Sequence, residues 1–244
     1  MDRLSLTPLP PPALRARVGL GSSRTEFIEV GRRAAASILG AFEEATRPTG
    51  DYGRWLDFGC GCGRVARYLI DSSRIRGMSG VDIDRPAVSW CRRHLLGDFG
   101  VSRPRPPLDF DGGAFDVVCA VSVFSHMRES EQDAWVAELC RVLRDGGILI
   151  ATTLSPELTW TRPDLTEAQH VVLRDTGFLY APASDRFNDN AAFQTIESQR
   201  SRWGTLFALE WSRPFGLADY MDLSIWRKRS PTAASASSLP AAAG

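Results

Sequence analysis

The chain has 244 residues, with 29 basic and 29 acidic side chains, so its formal net charge is zero. That length holds one sizeable α/β domain with a packed core. Balanced charge argues against a general nucleic-acid binder, which carries a basic excess, and no apolar run approaches bilayer length.

The stretch "MDRLSLTPLPPPALRARVG" has no apolar core of signal-peptide type, which predicts a soluble cytoplasmic protein. The first eighteen or so residues, rich in Pro and Arg, read as an irregular arm. From Thr25 to Glu44, Phe27, Ile28, Ala35, Ile38, Leu39 and Phe42 recur at helical spacing, which predicts one or two helices. Gly31 and Gly40 count against them. Residues 1–50 thus form an arm and helical cap, and "RPTGDYG" breaks the chain after them.

Strand and helix then alternate. "RWLDFG" is a short strand, with a helix over Arg64–Asp71 behind it. "GMSGVDID" is the second strand, and Asp84 caps a helix with Pro86 in its first turn, running to about Leu96. "VSRPRPPLDF" is too rich in proline for a good central strand and reads as a degenerate third strand or extended connection. "AFDVVCAVSVF" has the near-continuous apolar character of a strand buried on both faces. Ser130 can cap the next helix, with Trp135, Leu139, Val142 and Leu143 as its apolar face and Gly146 and Gly147 as its end. "ILIATTL" is another buried strand.

This rhythm predicts a Rossmann-like, doubly wound, mostly parallel sheet over residues 51–229. After Ser155 it stops, and residues 155–190 read as a lid-like insert. A helix over Ala191–Arg202 follows, and then "TLFALEWS" and "MDLSIWRKR" close the sheet in antiparallel fashion at its edge. The tail from residue 230 is low in complexity and reads as disordered.

Chemistry concentrates in "LDFGCGCGRV". Glycines at 59, 61 and 63 follow the first strand, with Cys60 and Cys62 between them. Glycine permits positive φ and lets a ligand approach the main chain, and in an open parallel sheet the first strand-to-helix turn is the usual ligand site. The dinucleotide fingerprint G-x-G-x-x-G fails because its third glycine would fall at Arg64, and the phosphate-loop G-K-[ST] is missing. What stands is D-x-G-x-G-x-G from Asp57 to Gly63. Asp82 ends the next strand about twenty residues on, placed to accept from both hydroxyls of a ribose.

With "GVDID", "PPLDFDGGAFDVVCAVSVFSHM" and "AELCRVLRDGGILIATTL" in order behind it, this stretch resembles the class I S-adenosylmethionine-dependent methyltransferase family over Trp55 to Leu154. Asp145 departs from the family's usual proline before the two glycines. The resemblance implies S-adenosylmethionine as cofactor and S-adenosylhomocysteine as product. It implies that Gly59, Cys60, Gly61 and Gly63 line the methionine part, with Asp57 supporting the turn. Asp82 would hold the ribose, Ile83 would pack on the adenine, and Pro107 and Leu108 would lie on the other adenine face. Val121 and Ser122 would floor the site under the sulfonium. Arg64 and Arg32 are further candidates for the cofactor's carboxylate, each equally readable as a surface ion pair.

The five cysteines are odd in number and mostly sit in apolar segments, so they read as reduced, buried side chains. C-x-C at 60–62 lacks a second pair at zinc spacing, and no metal is expected. His126, after the fourth strand, has two readings: a base that takes a proton from an acceptor hydroxyl or amine, or a residue that only orders its loop. His94 reads as a surface residue and His170 as part of the insert. Trp160, Phe178, Tyr180 and Phe187 either shape an acceptor pocket or pack the insert onto the domain. Trp203, Trp211 and Trp226 read as core.

The function expected is methyl transfer to oxygen or nitrogen of a small-molecule acceptor, such as a sugar or secondary metabolite, without nucleic-acid or membrane partners. The alternatives are a cofactor-binding but silent or regulatory protein of the same fold, or an enzyme using the cofactor without methylating. Oligomeric state is not legible.

Overall fold

The computed structural model describes residues 7–18, 23–183 and 190–230. Near the N-terminus, where the sequence suggests an irregular arm, Pro12–Arg15 form a short helix, α1, continued by a 3-10 turn over Ala16–Val18. Pro12 opens it at a position whose missing N–H costs nothing. Arg24–Thr46 form a single 23-residue helix, α2, capped by the Ser23 hydroxyl, which accepts from the Glu26 N–H. Its two interior glycines differ in role. A Cβ on Gly31 would lie 2.4 Å from the Arg64 carbonyl, whereas one on Gly40 would meet nothing within 4 Å.

The remaining elements are β1 (Arg54–Phe58), α3 (Ala66–Leu69), β2 (Gly77–Asp82), α4 (Arg85–His94), β3 (Asp98–Val101), β4 (Phe115–Ala120), α5 (Glu129–Val142), β5 (Leu143–Thr153), α6 (Glu167–Thr176), β6 (Phe178–Ala181), β7 (Ala191–Gln194), α7 (Ile196–Trp203), β8 (Phe207–Leu217) and β9 (Met221–Lys228). The main sheet has the order β3-β2-β1-β4-β5-β9-β8. Strands β1 to β5 pair in parallel, and β9 runs antiparallel to both β5 and β8. The fold is therefore Rossmann-like, with an antiparallel closure at one edge. The chain first winds outward through β2 and β3, then restarts at β4 on the other side of β1. That reversal opens a crevice at the carboxyl ends of β1 and β4.

Side chains alternate across the sheet with period two. Trp55, Cys119, Ile148, Ile150 and Ile225 join a core with α2, α3 and α4. Leu56, Phe58, Val118, Leu149 and Trp226 join the opposite core with α5 and Trp203 of α7. Trp203 and Trp226 are wholly buried, while Trp211 packs at the edge of the first core.

Several local expectations need correction. The helix after β1 is regular only over Ala66–Leu69. The third strand is Asp98–Val101, and the prolines that follow lie in the connection, where no ladder N–H is needed. Arg128, not Ser130, holds the N-cap of α5, and the Glu131 carboxylate accepts from the Arg128 N–H at 2.8 Å. Gly146 and Gly147 do not end α5. Leu143 leads straight into β5, so both glycines lie within that strand. Ala191–Gln194 is a strand and not a helix, pairing with β6, and α7 starts only after the Thr195 cap. The insert thus carries its own two-stranded sheet, tied to the end of β5 by a bridge between Leu154 and Phe193. Phe187, Asn188 and the tail beyond residue 230 lie outside the described residues.

Candidate active site

The carboxyl ends of β1, β2 and β4 open into a cavity of about 850 Å³. Its wall is built first by the glycine turn. Gly59 and Cys60 both donate their N–H to the Val81 carbonyl, at 2.8 and 3.0 Å, pinning the turn to β2. Gly59 and Gly61 have φ of +79° and +52°. A Cβ at these positions would lie 2.3 Å from Val123 and 2.7 Å from Val18. The backbone of the turn therefore forms a cradle that side chains would fill. Gly63 does not line the cavity; its missing Cβ makes room for Leu95, 2.3 Å away.

Asp82 ties the turn to the next loop. Its Oδ2 accepts from the Gly61 N–H at 2.7 Å and its Oδ1 from the Asp84 N–H at 2.8 Å. Each oxygen keeps a further acceptor site, which suits a pair of hydroxyls. Burial raises the Asp82 pKa, opposed by the hydrogen bonds from the Asp84 and Gly61 backbone. Asp57, in register with Gly80 on β2 and Cys119 on β4, is 2% exposed at the cavity floor. Burial, and then the Asp82 charge, push its carboxyl up to about 7. Hydrogen bonding to Cys91, together with burial, keeps the Cys60 thiol protonated, and burial pushes Cys62 up to about 12. These thiols are packing groups rather than nucleophiles. Among the described residues, no three His, Cys, Asp or Glu side chains are grouped as a metal site.

Ile83 lies at the rim of the cavity, 44% exposed, an apolar side chain left uncovered beside Asp82. Val121 and Ser122 lie at the end of β4 in the same wall. Ser122 adopts φ +57°, and its N–H is held by Thr152 Oγ1 at 2.8 Å. Pro107 and Leu108 are not brought here. Leu108 is buried in the α5 core, its N–H donating to Glu138 at 2.7 Å, and Ser102, Arg103 and Pro104 stand in the cavity wall instead. Arg64 is 7% exposed and lines the cavity, whereas Arg32 is out on α2, paired with Glu29.

His126 is in the wall, half-buried, on the short 3-10 turn after β4. Its Nδ1 lies 2.8 Å from the Asn190 carbonyl. A carbonyl only accepts, so Nδ1 carries the proton and, in the neutral ring, Nε2 carries the lone pair. Tyr180 lines the cavity, Phe178 is buried under Arg202, and Trp160 is 76% exposed and reaches neither role. His94 stacks on Trp90, and neither it nor His170 lines the cavity.

Three further residues escaped the sequence. Leu14 and Val18 of the arm cover the glycine-turn end, and Tyr220 arrives from the turn between β8 and β9. Five buried polar side-chain atoms among the described residues have no hydrogen-bond partner, and only the Tyr220 hydroxyl belongs to a cavity-lining residue. Burial raises its pKa, so the phenol stays a neutral donor, with the Arg64 charge close by. An orphaned donor and a guanidinium suit a carboxylate. The cradle, the Asp82 acceptors, the apolar rim at Ile83 and the Arg64–Tyr220 corner thus fit the parts of S-adenosylmethionine one by one. Nothing in the sequence near Tyr220 signals this, because its place depends on the closing strands.

Comparison with known proteins points the same way. Residues 56–147 match the family model of a methyltransferase domain. A malonyl-[acyl-carrier protein] O-methyltransferase of Enterobacter lignolyticus is 30% identical over 144 residues, covering 59% of this chain and 53% of that protein. A fatty-acid O-methyltransferase of Mycolicibacterium smegmatis is 33% identical over 105 residues, covering 42% of this chain and 38% of that protein. The chain thus matches about half or less of the length of these relatives. In fold it is similar to the N-methyltransferase NodS of Bradyrhizobium japonicum, solved with S-adenosyl-L-homocysteine, with a TM-score of 0.57 at 12% identity over 89% of this chain and 97% of that one. With the strand order, the glycine cradle and Asp82 in place, the chain has the fold of this solved methyltransferase, and over residues 56–147 it is similar to a methyltransferase domain.

Proposed function

We propose that this chain binds S-adenosylmethionine in the cavity and catalyses methyl transfer to an oxygen or nitrogen of a small molecule. The observation that carries the chemistry is the Nδ1–carbonyl hydrogen bond of His126, which fixes the tautomer and leaves Nε2 as the basic nitrogen. The bound sulfonium supplies an electrophilic methyl group. The chain's own residues then have three tasks: to align the acceptor, to exclude water, and to take its proton. Asp57, Gly59, Gly61, Asp82, Ile83, Arg64 and Tyr220 hold the cofactor. Val121 and Ser122 floor the region beside it, and His126 accepts the hydroxyl or amine proton as the new bond forms.

The relatives named for O-methylation act on a carrier-bound malonyl group and on fatty acids. Among the small-molecule acceptors expected from the sequence, they support an acyl-type one over a sugar. Among the described residues no helix is long and apolar enough to cross a membrane.

Calorimetry with S-adenosylmethionine tests the cofactor half. Asp82→Ala is expected to bind roughly tenfold or more weakly, the worth of hydrogen bonds to a charged group. Equal affinity removes Asp82 from the site. Release of S-adenosylhomocysteine across an acceptor panel tests the chemistry. His126→Ala is expected to lose about 10²-fold or more in turnover with cofactor affinity kept, and unchanged turnover leaves His126 as a loop-ordering residue.

A further inference from the structure

The cavity wall divides by charge. Its carboxylates, Asp57, Asp82 and Asp84, all sit at the glycine-turn end. Two of them are engaged there, Asp82 with the backbone of Gly61 and Asp84 with Arg17. Among the described residues, the wall around His126 is Ser122, Met127, Leu154, Tyr180, Pro182 and Asn190, all uncharged, with Arg128 as the formal charge.

Arg128 lies two residues beyond His126, at the N-cap of α5, exposed at the mouth. Its guanidinium sits 4.5 Å from the centre of the Tyr180 ring. Both neighbouring acids are committed elsewhere. Glu131 accepts from the Arg128 backbone N–H, and Glu129 lies 3.5 Å from Arg202. Among the described residues Arg128 makes no ion pair. Stacking holds a guanidinium in place without itself neutralising it, and the fork matches a carboxylate or phosphate. Among the described residues, an arginine on the rim of an otherwise uncharged stretch of wall suits an anion.

We propose that the acceptor is an anionic amphiphile whose carboxylate or phosphate is anchored at the mouth by Arg128 on Tyr180. Its apolar body lies along Met127 and Leu154, and the atom to be methylated reaches inward to His126. The exposure gradient sets this direction: Arg128 is exposed, His126 is half-buried, and Val121 behind it is 9% exposed. Arg128 is a specificity residue here and takes no part in the proton transfer. The assignment rests on the methyltransferase reading of the cavity, since it needs the cofactor to occupy the other end.

The test uses the full chain saturated with S-adenosylhomocysteine, titrated with decanoate, decyl phosphate and decanol. The wild type is expected to bind one of the two anions roughly tenfold or more tightly than decanol, with the advantage falling as salt is raised. Whether decanoate or decyl phosphate wins identifies the anchored group. Arg128→Gln is expected to erase the preference while leaving S-adenosylhomocysteine affinity unchanged, and Arg128→Lys to restore part of it. Equal binding of decanol and the anions, no binding of either anion, or an anion preference that survives in Arg128→Gln overturns the proposal. Failure of the wild type to bind S-adenosylhomocysteine would instead overturn the cofactor reading beneath it.

Discussion

Asp57 is a carboxylate that the fold holds against its own ionisation. Burial and the neighbouring Asp82 charge raise its pKa to about 7, far above the ordinary aspartate value of about 4. The folded state therefore binds a proton that the unfolded chain has lost. Its contribution to stability is full below the unfolded value and disappears as pH rises through about 7. Urea midpoints of the cofactor-free protein are expected to fall between about pH 5 and about pH 8, and Asp57→Asn is expected to flatten that slope. A cationic ligand in the same cavity favours the ionised form. Binding of S-adenosylmethionine near neutral pH should then release a proton, seen as a binding enthalpy that depends on the buffer's ionisation heat. A buffer-independent enthalpy would show that Asp57 does not titrate on binding. At this scale spacing alone is enough to place Asp57, Gly59, Gly61 and Asp82 together, and the structure has all four lining one cavity. The sequence is silent on Asn190 and Tyr220, whose roles come from contacts between distant segments.

At the scale of elements, glycine illustrates how the same residue can mislead. Gly31 lowers helix propensity by about 1 kcal/mol relative to alanine, yet it sits inside a regular 23-residue helix. Its value lies in the tertiary contact, where a Cβ would meet the Arg64 carbonyl at 2.4 Å and the Tyr68 ring at 2.9 Å. Gly31→Ala, favourable by propensity, is expected to destabilise by about 1–3 kcal/mol through overpacking, read as a lower urea midpoint. Because Arg64 lines the cavity, the variant should also weaken S-adenosylhomocysteine binding. Gly40→Ala, which meets no neighbour within 4 Å, should do neither and provides the control. The long parallel strands are legible because they are apolar on both faces. The β6–β7 pair is not, since "AAFQ" is four residues without alternation and becomes a strand through its pairing with Phe178–Ala181. The Gly146–Gly147 pair fails as a helix stop because α5 has already ended at Val142, and the two glycines fall where the β4–β5 register shifts between Leu143 and Ile148.

The molecule as a whole closes its cavity with segments from both ends of the described chain. The β8–β9 turn brings Tyr220, and it is unusual in having Ala218 and Asp219 both at positive φ, as is Phe215 near the end of β8. Helix α2 holds that turn: Ser37 Oγ accepts from the Ala218 N–H at 3.2 Å, and Arg33 binds the Ala218 carbonyl and the Asp219 carboxylate. From the other end, Leu14 and Val18 pack with Phe27, Cys62 and Ala87 over the glycine turn. Arg17 pairs with Asp84 at 2.9 Å, and Arg67 donates to the Thr7 carbonyl at 2.8 Å. The sequence alone shows this arm only as a run of prolines and arginines, because its short helix is stabilised by the surface it covers. The small cluster that seats it stands apart from both main cores, so it can lift without unfolding the sheet. Limited trypsin digestion should therefore cut first at Arg15 or Arg17, and S-adenosylhomocysteine should slow that cleavage by holding the arm down. Leu14→Asp places a charge in the apolar seat. It is expected to speed the cut and to weaken the cofactor by about tenfold, near the burial worth of one leucine side chain, while the main thermal transition shifts little. If ligand leaves the cleavage rate unchanged, the arm is a fixed wall of the cavity and the cofactor must enter from the His126 side.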